Sequence, residues 1–147
     1  MTVAAVPVVV ASDEQDTEPV DVDRWSGLAT AVLVDEGVEG ELNLLFVDED
    51  AMAALNQEHM GHDGPTDVLS FPIDGPDAGA DGLLGDVVVC PAVARRNAPD
   101  HAGTYEDELA LLVVHGVLHV LGHDHAEAAE AAVMRARESA HLERFRS

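Results

Sequence analysis

The segment ELALLVVHGVLHVLG, residues 108–122, is apolar on every side of a helix and yet carries two histidines. A helix that is hydrophobic all round must be buried, so the rest of the chain has to be arranged around it. Its limits are marked. Thr104 with Asp107 three residues on resembles a capping box, which opens the helix at Tyr105, and Gly122 is placed to stop it after Leu121 in the left-handed conformation. The 147 residues fit a single domain, 1–147, with this helix at its centre.

The elements around it follow from hydrophobic period and turn chemistry. VAAVPVVVA reads as a β-branched strand, with Pro7 marking an edge or a bulge. After the polar connection SDEQDTEPVDVD, helical spacing puts Val22, Trp25, Leu28, Ala29, Val32 and Leu33 on one stripe that ends at Gly37. ELNLLFVDED begins as a second strand, and Asp48 is the expected N-cap of a short helix EDAMAALNQEHM. Asp63, Gly64 and Pro65 form a turn into a strand from Asp67 to Ile73. The turn formers of DGPDAGADG come next, then a strand over Leu83–Cys90 and a helical segment after Pro91. AEAAEAAVMRARESAHLERF makes a last, Ala- and charge-rich helix. The order β-α-β-α-β-β-α-α predicts an α+β domain with a small mixed sheet packed against the central helix.

The two histidines of that helix begin the pattern H-x-x-x-H-x-x-G-x-x-H. His115 and His119, four residues apart, project from one face, one turn above the other. This spacing presents two imidazole nitrogens to one tetrahedral ion. Gly122 permits an abrupt turn, after which His125 can swing back as a third ligand. Three protein ligands leave a fourth position for water, the mark of a catalytic zinc site. The expectation is one Zn²⁺ held by His115, His119 and His125. Two imidazoles in an apolar helix need partners, and a shared metal supplies one to each. Gly116, poor in a mid-helix position, suggests close approach by another backbone or by substrate. Asp124 reads as a turn residue or as an orienting partner of a ligand histidine. His59 and His62 read as a polar loop pair, His123 as exposed, and Cys90 as a small buried residue.

The same histidine spacing serves metzincin proteases, where Glu follows the first His and acts as general base. Here that position is Gly116. The nearest acids, Glu108 and Asp124, are not expected on that face at that depth. Metal-binding geometry is kept and the peptidase base is missing, which disfavours proteolysis. Charge points a different way. With 29 acidic residues against seven basic ones, all of them Arg, the net charge of −22 repels phosphates on average. The arginines cluster, though, as Arg95–Arg96 and as Arg135, Arg137, Arg144 and Arg146 near the C-terminus. No apolar run is long enough to cross a bilayer, and MTVAAVPVVV lacks a signal peptide's basic n-region. With one cysteine and so no internal disulfide, a cytoplasmic location is expected, with no membrane partner.

HGVLHVLGHDH resembles the H-G-x-L-H-L-x-G-Y-D-H signature of the YbeY family of endoribonucleases. Upstream, LNQEHMGHDGPTDVLSFPID is similar to that family's L-N-x-x-[YF]-R-x-x-D-x-P-T-D-V-L-S-F stretch, and LLGDVVVCPAVARRNA to its L-G-D-I-x-I strand and the segment after that strand. Together these cover roughly residues 42–145 in the family's order. The resemblance implies an α+β fold and Zn²⁺ on His115, His119 and His125. It also implies single-strand-specific endoribonuclease activity in 3′-end maturation of small-subunit (16S) ribosomal RNA and in ribosome quality control. Ribosomal RNA, the small subunit and its assembly proteins are the implied partners. Among the departures from the pattern, Met60, preceded by His59, stands where the family often has Arg, and His123 where it has Tyr. Without that arginine, Arg95 or Arg96 has to meet phosphate. Ser70 and Asp67 are placed to line the cleft, or to serve as a satisfied hydroxyl and a strand-start cap. His115 and His119 are the expected catalytic residues through a metal-activated water, with attack by that water or by the RNA 2′-OH equally open. The alternatives are a zinc-stabilised, non-catalytic ribosome-assembly factor and a metal-dependent hydrolase of another substrate.

Overall fold

The computed structural model describes residues 6–123 and 127–146. Among them run β1 (Val8–Asp13), α1 (Val22–Asp35), β2 (Glu41–Phe46), α2 (Glu49–Met60), β3 (Val68–Pro72), β4 (Leu83–Val89), α3 (Pro91–Asn97), α4 (Tyr105–Val120) and α5 (Ala128–Arg146). This is the expected element order with α3 as a helix of its own. Short 3₁₀ turns occupy Gly75–Asp77 and Ala98–Asp100.

The strands form a four-stranded mixed sheet in the order β1-β2-β4-β3. β1 pairs parallel with β2 and β2 parallel with β4, while β3 returns antiparallel to β4. Parallel neighbours need crossovers, and α1 supplies the first, α2 with β3 the second. β1 is an edge strand, which is why Pro7 is tolerated directly before it. Alternation sorts the side chains by face. Leu42, Leu44, Phe46, Val87 and Val89 enter the main core, whereas Leu69, Val88 and Cys90 enter a smaller one with Met52 and Val93. Between Glu41 and Leu42 the register with β4 slips by one residue, so Leu84 and Val87 both reach the main core despite their odd spacing.

The predicted apolar stripe of α1 is buried at Trp25, Leu28, Ala29, Val32 and Leu33. The caps also form as expected. Asp48 accepts from the Ala51 N–H at 2.8 Å, and Thr104 accepts from the Asp107 N–H at 3.1 Å. Helix α4 lies at the centre, packed on α1, α3, α5, β3 and β4. Leu109, Val113, Val114, Val117 and Leu118 are fully buried in it. At its end Gly122 takes φ +96°, its N–H donating to His119 O and the His123 N–H to Leu118 O, a Schellman turn that reverses the chain directly after the second histidine.

Candidate metal centre

His115 and His119 lie side by side on the exposed margin of α4, ring centroids 4.9 Å apart. The two rings form part of the wall of a cavity of about 490 Å³, which Met60, Asp67 and Ser70 also line. His115 has a further partner, Glu138 of α5, whose carboxylate lies 2.7 Å from Nδ1. A carboxylate can only accept, so Nδ1 carries a hydrogen and the other ring nitrogen, Nε2, is the one a metal would take. This is the arrangement of a metal-ligating histidine, in which an outer carboxylate fixes tautomer and ring orientation. Two adjacent imidazoles, one with its ring orientation set by an outer carboxylate, fit a divalent transition metal by donor chemistry. The expected third ligand, His125, and its neighbour Asp124 lie outside the described residues.

Gly116, between the two histidines, is pressed onto the sheet. A Cβ there would stand 2.5 Å from Val87 Cγ1 and 3.4 Å from Ser70 Oγ and from Val68 Cγ2. The close approach expected from the sequence is thus that of β3 and β4. The residue that would carry a protease's base faces packed side chains. The Ser70 hydroxyl donates to the Gly116 carbonyl at 3.0 Å, so Ser70 borders the cavity while its hydroxyl holds strand to helix. Asp67 accepts from the Val68 N–H at 2.8 Å, capping the start of β3, and also lines the cavity.

Arg95 and Arg96 are engaged by carboxylates. Arg95 reaches Glu18 at 2.8 Å and stacks 3.8 Å over the Tyr105 ring, and the Glu18 hydrogen bond raises its pKa further. Arg96 pairs with Glu49 and borders a neighbouring depression with Asp67 and His101. Arg24, Arg137 and Arg144 also meet carboxylates, those of Glu106, Glu36 and Asp35. The structure therefore brings Ser70 to the two histidines and does not bring Arg95 there. Met60, half exposed, presents a thioether at the cavity wall. His59 packs edge-on against Phe71 at 4.9 Å, and His62 is exposed.

A second group could hold a metal by its spacing: one ligand atom each of Asp35, Glu36 and His141 fall within 4.8 Å of one another. Cations already serve this group. Arg144 lies 2.6 Å from Asp35 and holds its carboxyl below the ordinary range. Arg137 lies 3.3 Å from Glu36, and the buried His141 places Nε2 2.9 Å from the same carboxylate. His123, expected to be exposed, is half-buried, with Nε2 3.4 Å from Glu36. The group reads as an ion-pair network tying α5 to the end of α1.

Three partnerships were not anticipated from the residues. Glu138 and His141 are ordinary members of an Ala- and charge-rich helix by composition. Glu108 did leave a signal, an acid within an apolar helix. Being seven residues before His115 it shares that face of α4, which the sequence did not lead one to expect, but two turns away. Its fully buried carboxylate accepts from the Ala102 N–H at 3.1 Å and faces His101 Nδ1 at 2.8 and 2.9 Å.

A family model described as Endoribonuclease YbeY matches residues 10–146. The Endoribonuclease YbeY of Salinispora tropica is 48% identical over 141 residues, covering 87% of this chain and 90% of that relative. The protein of the same description from Thermobifida fusca is 47% identical over 117 residues, covering 74% and 76%. Among solved structures, the solution structure of TM1509 from Thermotoga maritima matches with a TM-score of 0.69 at 28% identity, over 94% of this chain and 89% of that one.

Proposed function

The chain belongs to the Endoribonuclease YbeY family, and on that premise we propose that residues 1–147 form one metal-dependent, single-strand-specific endoribonuclease domain. Its proposed substrate is the 3′ end of small-subunit ribosomal RNA, its setting the cytoplasm, and its partners the small subunit and assembly proteins met during ribosome quality control. Among the described residues no helix is long and apolar enough to cross a membrane.

The observation that carries this reading is the pair His115–His119 at the wall of an open cavity, with His115 Nδ1 held by Glu138. His115 and His119 would hold Zn²⁺, with His125 as the third ligand. Held there, the ion would supply Lewis-acid chemistry toward a phosphodiester. The chain's own part is to hold the His115 ring through Glu138 and to seat the helix turn between the two histidines through Gly116 packed on Val87. The clash that any side chain at Gly116 meets disfavours the protease reading.

The test is metal analysis of purified protein joined to cleavage of single-stranded RNA by the wild type and by His119→Ala. About one zinc per chain is expected, with cleavage lost on chelation and in the variant. Equal cleavage by chelated and zinc-loaded protein would overturn the reading. A second reading, a zinc-stabilised assembly factor without catalysis, draws on Met60 and on the arginines spent on carboxylates. Under it, chelation lowers the melting temperature while no cleavage appears at any metal concentration.

A further inference from the structure

The space next to His115 has a second imidazole on its far side. His101 borders a cavity of about 290 Å³ that it shares with Asp67, His115 and Glu138. It also borders the adjoining depression of about 350 Å³ beside Arg96 and Asn97. With the cavity of about 490 Å³ around His119 and Ser70, these hollows succeed one another past Asp67. His101 lines two of the three hollows, and Asp67 lines all of them.

Its ring is held from behind. Glu108 is fully buried, and an unpartnered carboxylate there would cost several kcal/mol. The carboxylate spends its acceptors on the Ala102 N–H and on His101 Nδ1. Because it can only accept, Nδ1 carries a hydrogen, and the ring orientation is set as in any carboxylate–imidazole pair. The two partners differ sharply in exposure, 0% for the Glu108 side chain and 57% for His101. A pair built only to satisfy a buried carboxylate has no need to leave its imidazole open to the cleft. Meanwhile Met60 brings no charge to the cavity around His119, and Arg95 and Arg96 are tied to Glu18 and Glu49.

We propose that His101 is a substrate-contacting residue of the cleft, its Nε2–H donating to a phosphate oxygen of a single-stranded nucleic acid, and that Glu108 is the positioning residue behind it. Donation from Nε2 takes the doubly protonated ring, with the Glu108 carboxylate on one nitrogen and the phosphate on the other. The proposal rests on the endoribonuclease reading for the identity of the strand, and the experiment separates the two.

Binding of a 2′-O-methyl single-stranded oligonucleotide is measured by fluorescence anisotropy, alongside cleavage of the matching RNA, for wild type, His101→Ala, His101→Arg and Glu108→Gln. A charge-assisted hydrogen bond corresponds to roughly tenfold in affinity. His101→Ala should therefore raise Kd and KM about tenfold, leaving kcat within about twofold and the melting temperature and zinc content unchanged. His101→Arg, which restores a cation, should recover most of the binding. Glu108→Gln should shift the His101 ring ¹⁵N resonances and weaken binding in the same direction. Should Glu108→Gln fail to fold, the His101 variants decide alone. Cleavage by wild type together with wild-type Kd and KM in His101→Ala would overturn the proposal and leave the endoribonuclease reading standing. Binding without any cleavage, lost in His101→Ala, would support the proposal and overturn that reading. Neither binding nor cleavage by the wild type would overturn both.

Discussion

The Ser70 hydroxyl donates to the carbonyl oxygen of Gly116 at 3.0 Å, tying β3 to the turn of α4 that separates His115 from His119. That bond is possible because residue 116 has no side chain: a Cβ would meet Val87 Cγ1 at 2.5 Å. In an exposed helix Gly→Ala gains about 1 kcal/mol, but overpacking a core typically costs about 1–3 kcal/mol. The clash is with a branched side chain on a buried strand, so overpacking should win. Gly116→Ala is expected to lower the melting temperature, by about 2–4 °C per kcal/mol for a domain of this size. A raised melting temperature would show that helix and sheet can part here at no cost. Gly116→Glu, which rewrites the position as a protease's, should be less stable still and show no activity on casein.

Glu138 predicts a different kind of loss. Its carboxylate stands behind His115 Nδ1 at 2.7 Å and contributes to metal binding only through that ring. Removing such an outer partner typically costs about 10–100-fold in metal affinity. Glu138→Ala should weaken zinc binding by that order in a competition titration against a chromogenic chelator. The helical fold measured by circular dichroism should persist. Zinc affinity equal to that of the wild type would mean that the carboxylate does not orient the ring.

These two positions also mark where sequence was informative. Helix α4 was readable because an apolar run bounded by Thr104 and Gly122 leaves little choice, and His115 and His119 were readable because a helix turn is a local rule. Partners in space obey no such rule. His115 and Glu138 are 23 residues apart, and His141 and Glu36 are 105 apart. Strand order was hidden for the same reason, since alternation tells which side of β4 faces the core and nothing about which neighbour lies parallel. The His101–Glu108 pair, seven residues apart, was within reach. A buried acid in an apolar helix demands a partner, and the nearby histidine was the residue to ask about.

Cys90 offers a probe of the smaller core. It is fully buried at the end of β4, and burial pushes its thiol above the ordinary range, so little thiolate exists at neutral pH. As the chain's one cysteine it gives an unambiguous signal. A disulfide reagent should label it only as fast as the protein opens, with the labelling rate rising along the denaturation curve. Rapid labelling of the native protein would place the thiol at the surface.

Tyr105, the single tyrosine, carries the clearest pH signature. Its hydroxyl donates to the Pro19 carbonyl at 2.9 Å, anchoring the start of α4 to the connection before α1. Burial first, and then the negative charge of Glu18, push the phenol up from 10.0 to about 12. The fold therefore favours the neutral phenol. Its contribution is fully present below the unfolded value near 10 and is lost as pH rises through the folded value near 12. Near-ultraviolet phenolate absorbance should rise well above pH 10 in the native protein and near pH 10 once it is unfolded by denaturant, both in a single step. Tyr105→Phe should cost about 1 kcal/mol at neutral pH, the net worth of one hydrogen bond, and should flatten the alkaline limb of the stability profile. A native phenol titrating at the unfolded value would mean that this hydroxyl is neither buried nor bound to Pro19, and that α4 is not anchored here.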